Sequence, residues 1–154
     1  MSSALSPTVS DVVDAADAAE PDVPEIKEIS LVEGLVGLPA ARRFALVRWG
    51  DDPTTPFSVL RSLDDPDLEL VVVPPHVFFP DYAPEIDDAV AGAIELTDAA
   101  DALVLSVITV GERPELCTAN LLGPIIVNLR TRDAVQAVLS PEHHNARQPL
   151  VAAS

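Results

Sequence analysis

At 154 residues and 48% hydrophobic content, the chain has room for one domain with a substantial core and too little for two ordinary ones. Its formal charge of −16 would repel phosphate backbones, which argues against direct binding of DNA or RNA. The longest apolar run, about Ala102 to Val110, is far below the ~18 residues of a membrane-spanning helix, and Cys117, the single cysteine, excludes an intrachain disulfide.

Met1 to Pro7 has neither the basic nor the long apolar region of a secretory leader, so a soluble cytoplasmic protein without a membrane partner is expected. Residues 1–24 stand apart. They hold Asp11, Asp14, Asp17, Glu20 and Asp22 but no Lys, Arg or aromatic, and they carry Pro7, Pro21 and Pro24. Val12, Val13, Ala16 and Ala19 have helical spacing after a Ser10 cap, but so short an isolated helix is marginal in water. The segment reads as a mobile acidic extension, with residues 25–154 forming the domain. Removing its five charges leaves −11 on the rest, so the acidity is general. Such charge serves solubility, or it attracts a basic partner; charge alone does not choose between them.

From Glu25 onward the pattern is short strands between turn residues. Arg43 to Trp49 has strand composition and ends at the turn cluster Gly50-Asp51-Asp52-Pro53. Phe57 to Leu63 alternates loosely, and Leu68 to Val73 is a strand stopped by Pro74-Pro75, which cannot donate to a ladder. The composition predicts a helix over Pro84 to Ile94, with acids in its first turn. Ala102 to Val110 reads as a strand buried on both faces. Ile125 to Leu129 and Ala134 to Leu139 flank Arg130-Thr131-Arg132-Asp133 as a hairpin. These elements predict a mainly β fold: a single antiparallel β-barrel-like domain with one or two short helices.

The acidic clusters Asp51-Asp52, Asp64-Asp65-Pro66-Asp67 and Asp87-Asp88 lack the alternation, central glycine and distal glutamate of a calcium loop, and read as turns. His76, His143 and His144 have no zinc spacing. Cys117 reads as a small packed hydrophobe rather than half of a Cys/His dyad. With no phosphate-binding or nucleophile-elbow motif present, no cofactor and no catalysis are expected.

Phe78, Phe79 and Tyr82 are half of the six aromatics and fall within five residues, held out of any central strand by Pro74, Pro75, Pro80 and Pro84. Either they plug the end of the core, or they stay on the surface and anchor a partner, with Asp81 as a charged contact at the rim. Asn120 has two open roles: capping a turn, or pairing with an incoming backbone.

Read in order, Gly34-Leu35, Pro56-Phe57, Ser62-Leu63-Asp64-Asp65-Pro66, Phe79-Pro80-Asp81-Tyr82, Thr118-Ala119-Asn120-Leu121, Pro124-Ile125, Asn128 and Arg147-Gln148-Pro149-Leu150 resemble the FliW family of bacterial flagellar assembly factors. The likeness runs from about Ile26 to Leu150. Leu38, Arg61, Gly123 and His144 stand where the family more often has phenylalanine, glutamine, alanine and an aromatic. The resemblance implies a partner-switching regulator rather than an enzyme. Such a protein binds CsrA, a small dimeric translational repressor, and so relieves repression of flagellin mRNA. It also binds flagellin, which couples flagellin synthesis to export. The partner-binding residues expected on this basis are Leu63, Asp64, Asp65, Phe78, Phe79, Asp81, Tyr82 and Asn120. The alternative from a different class is a small-ligand-binding β-barrel protein without catalytic activity.

Overall fold

Nine strands form one continuous sheet in the computed structural model, which describes residues 23–50, 55–112, 116–142 and 144–150. They are β1 (Ile26–Leu31), β2 (Arg43–Arg48), β3 (Ser58–Ser62), β4 (Glu69–Val73), β5 (Ala102–Thr109), β6 (Thr118–Ala119), β7 (Ile125–Asn128), β8 (Asp133–Gln136) and β9 (Gln148–Pro149). The expected acidic extension up to Asp22, the Asp51-Asp52 turn and His143 lie outside the described residues. Val23 packs against the core.

In the order β4-β3-β2-β1-β8-β7-β5, each strand pairs with the next, and a β4–β5 pairing closes the ring into a seven-stranded barrel. β6 and β9 extend the sheet beside the far end of β5. The mainly β barrel expected from the sequence is the architecture found. One seam is parallel: β1 meets β8 through Ser30↔Asp133 and Leu31↔Ala134. No hairpin can join parallel neighbours, and here β2 to β7 make up the long connection between them.

Strand alternation sorts side chains into three clusters. Phe44, Leu46, Leu60, Val72, Leu105 and Val127, each at most 1% exposed, fill the barrel interior. That filling occupies the volume in which a ligand-binding barrel would hold its ligand. A second cluster lies on the outer face, where Val104, Ile126 and Val135 are covered by Ile86, Val90, Ile94 and Leu96. The third lies on another stretch of outer face, where Val71, Val73, Ile108 and Ala119 are covered by Phe57, Phe78, Phe79, Tyr82 and Leu150. β5 thus contributes to all three, as an apolar run buried on both faces should.

The helix is shorter than the predicted Pro84 to Ile94: α1 spans Asp88–Ala93. Asp87 sets its start, because its carboxylate accepts from the Val90 amide at 2.9 Å as an N-cap. Its end is a Schellman turn with the Leu96 amide donating to Ala91 at 2.8 Å and the Glu95 amide to Gly92 at 3.3 Å. Glu95 occupies the left-handed position, φ 54°, where glycine is usual. The hairpin turn also sits one residue earlier than expected, with Asp133 already in β8 and Arg132 at φ 68°. Gly34 is required by geometry: its φ is +72°, and a Cβ there would overlap the backbone of Pro39.

Asn128, fully buried at the end of β7, ties α1 to the hairpin. Its amide nitrogen donates to the carbonyls of Ile94 (2.9 Å) and Glu95 (3.3 Å), and its oxygen accepts from the amides of Arg130 (2.9 Å) and Thr131 (3.4 Å). Asn128→Ala removes both donors and acceptor at once. We expect it to cost about 2–3 kcal/mol, since buried polar groups left without partners carry their full desolvation penalty, and urea denaturation measures this directly.

Candidate partner-binding surface

Leu63, Asp64 and Asp65 lie in the turn between β3 and β4, and local hydrogen bonds account for its shape. The Ser62 hydroxyl accepts from the amides of Asp64 (3.2 Å) and Asp65 (3.0 Å), and the Asp65 carboxylate accepts from the Asp67 amide (3.0 Å). These are the ST and Asx turns expected of such a cluster. Asp64 also accepts from Arg43 on β2 at 2.6 Å. The hydrogen bond and charge of the guanidinium hold the Asp64 carboxyl below the usual carboxylate range, and Arg43 is correspondingly raised. Both groups face solvent, so screening keeps the pair weak. Arg61, the cation set beside this turn in the sequence, is paired with Glu69 across the strands at 2.8 Å. Leu63 is 43% exposed.

Phe78, Phe79, Asp81 and Tyr82 lie at the opposite end of β4. The chain leaves that strand through the prolines and a single 3₁₀ turn, Pro75–Val77, after which the amides of Phe78 and Phe79 both donate to Pro75. The rings form a chain: Trp49 meets Phe57 edge-on at 5.5 Å, Phe57 meets Phe78 at 5.8 Å, and Phe78 meets Phe79 at 6.4 Å. They pack over buried Val73, Ile108, Ala119 and Leu121 rather than into the barrel interior, an arrangement between the two sequence expectations of core plug and surface anchor. They lie half-buried along its outer wall, because Val71 and Val73 point outward there and need cover. The Tyr82 hydroxyl donates to the Leu121 carbonyl at 2.7 Å, and burial pushes its pKa well above the ordinary tyrosine value. Asp81 is exposed beside it.

Asn120 follows β6 and takes the capping role. Its side-chain oxygen accepts from the amides of Leu122 (3.1 Å) and Gly123 (3.0 Å), which holds the turn that carries Leu121. Through that turn Asn120 belongs with the aromatic group. The eight expected residues therefore fall into two sets at opposite ends of β4, not one continuous patch.

Two hollows flank the aromatic ridge. The broader, about 730 Å³, is lined by Phe79, Asp81, Tyr82, Leu121, Glu142 and His144 among others, with no Lys or Arg among the described residues of its lining. His144 stands edge-on to Tyr82 at 5.6 Å. The second, about 280 Å³ and apolar, lies between Trp49, Phe57, Phe78, Ile108, Val110, Cys117 and Leu150. Cys117 is half-buried there and accepts from the Gly111 amide at 3.4 Å. Sequence reasoning missed Glu142 and Trp49, which reach these hollows from segments distant along the chain. Among the described residues no group of three or more His, Cys, Asp or Glu is placed to hold a metal ion, and no helix is long and apolar enough to cross a membrane.

With this geometry in hand, the chain can be placed among known proteins. Residues 13–150 match the family model described as FliW protein. The flagellar assembly factor FliW of Treponema pallidum is 36% identical over 123 residues, which is 80% of this chain and 80% of that protein. The Bacillus subtilis protein of the same name is 32% identical over 117 residues, covering 76% and 80%. A crystal structure of the flagellar assembly factor FliW superposes with a TM-score of 0.76 at 26% identity, over 86% of this chain and 91% of that one.

Two substitutions check the local account. Tyr82→Phe, which removes only the bond to Leu121, should cost about 1 kcal/mol in thermal or urea unfolding. Asp64→Asn should be slightly less stable than the parent at neutral pH. A depressed carboxylate stabilises the fold above its unfolded pKa, about 3.9, and that contribution is lost as pH falls through the still lower folded value. The difference between the two proteins should therefore close at acid pH, and also in high salt.

Proposed function

The chain belongs to the FliW family, and from that premise we propose that it is a flagellar assembly factor working in the cytoplasm by gripping other polypeptides, with no bond made or broken. Its partners on this reading are a CsrA-type translational repressor, whose capture frees flagellin mRNA, and flagellin itself, which occupies the protein until export. Flagellin synthesis is thereby coupled to assembly.

The observation that supports this most is the half-buried ridge of Phe78 and Phe79 with Asp81 at its side, standing on its own small apolar cluster. Aromatic anchors fixed by the fold lose little freedom on binding and dominate interface energetics. The formal charge of −16 suits a repressor whose RNA-binding surface is basic, and it opposes RNA phosphates in the same place. The five acids of residues 1–24 add to that field. Tyr82, Asn120, Leu63, Asp64 and Asp65 complete the proposed contact set, the last three as a separate contact at the other end of β4.

The test is a titration of a CsrA-type protein and flagellin against the purified chain, singly and in competition. Both should bind, and the association rate of the repressor should fall steeply between low and high salt. Phe78→Ala should weaken binding about tenfold or more while the variant remains folded by circular dichroism. A chain that ignores both proteins does not have this function; a salt-independent rate removes the electrostatic part.

A further inference from the structure

The broad hollow beside Tyr82 combines an aromatic and aliphatic floor with a rim of one charge sign. Phe79, Tyr82 and Leu121 supply the floor, Asp81 and Glu142 are exposed carboxylates at the edge, and no Lys or Arg among the described residues lines it. Where cations do pair with carboxylates, the pairs lie outside this hollow: Asp64 with Arg43, Glu69 with Arg61, and Asp101 with Arg130 at 3.7 Å. No ion pair to Asp81 or Glu142 forms among the described residues. The Tyr82 ring is fixed in place by its bond to Leu121 and its contact with His144, so the floor is formed before anything binds.

We infer that this hollow is the seat for an arginine-bearing loop of the basic partner, and that it contributes little to holding flagellin. The inference rests on the proposed function and assigns one of the two partners to one surface. The chemistry selects the occupant. A guanidinium is planar and weakly hydrated, packs on aromatic faces, and reaches carboxylates at the same time; lysine does the first two poorly. The hollow is an open depression of about 730 Å³, wide enough to take an arginine presented on a loop. An acidic or phosphate-bearing occupant would meet only repulsion at this rim.

The experiment compares the wild-type chain with the isosteric double variant Asp81→Asn/Glu142→Gln, and with Glu33→Gln as an exposed control outside the hollow. Each is titrated with a CsrA-type protein and, separately, with flagellin, in low and high salt. The double variant should raise the repressor's Kd about fivefold to thirtyfold in low salt, as two partly exposed charge contacts would. The loss should shrink in high salt, and flagellin binding should stay within about twofold. The control should bind both partners as the wild type does. Unchanged repressor affinity in the double variant, or equal weakening toward flagellin, overturns the assignment. Failure of the wild-type chain to bind either protein is a different result and counts against the proposed function itself.

Discussion

Closing the barrel through β4–β5 leaves β5 with paired backbone on both of its edges, and this allows the chain's most apolar segment to bury both faces. A half-open sheet would expose the outward residues of β4 and β5. Here they are covered instead, by α1 and its flanks along one stretch and by the aromatic loop along another. The positions of Phe78, Phe79 and Tyr82 follow from that need for cover. An outer-wall cover is also less enclosed than a core, so the same rings stay only half-buried. The loop's structural role and the anchor role proposed for it thus draw on one arrangement.

Features encoded within a few residues were legible in the sequence. β2, β3, β4, β5 and β7 lie within a residue or two of the apolar runs that mark them. The turns at Ser62, Asp65 and Asn120 formed because their side chains bond to amides two or three positions on. Strands of two residues, β6 and β9, have no periodicity to read. The parallel β1–β8 seam depends on closure, which no local pattern records. The helix began late because Asp87 captured the Val90 amide, although the acids around it suited a helical first turn equally well. The candidate surface was legible as residue types but not as a layout. The Asp64 and Phe78 groups lie close in sequence, and the direction of β4 sends them to opposite ends.

Charge on this molecule is organised as well as abundant. Nine Lys and Arg face 25 Asp and Glu in the whole chain, and several of the cations are already taken up within the sheet. Arg43, Arg61 and Arg130 pair with carboxylates, and Arg42 donates to the carbonyls of Pro39 and Val32. Cations so engaged knit strands together. Among the described residues none of them lines the hollow beside Tyr82, so carboxylates and the aromatic floor meet there without a cation in the lining.

Trp49 is the one tryptophan in the chain, 43% exposed, with its indole edge-on to Phe57 at the mouth of the apolar cleft. Its emission therefore reports from a single known address. A spectral shift would mark a ligand or neighbour arriving at that wall, and a silent indole during complex formation would place the contact elsewhere. The fold thus carries its own optical label, on the far side of Phe78 from the acidic hollow.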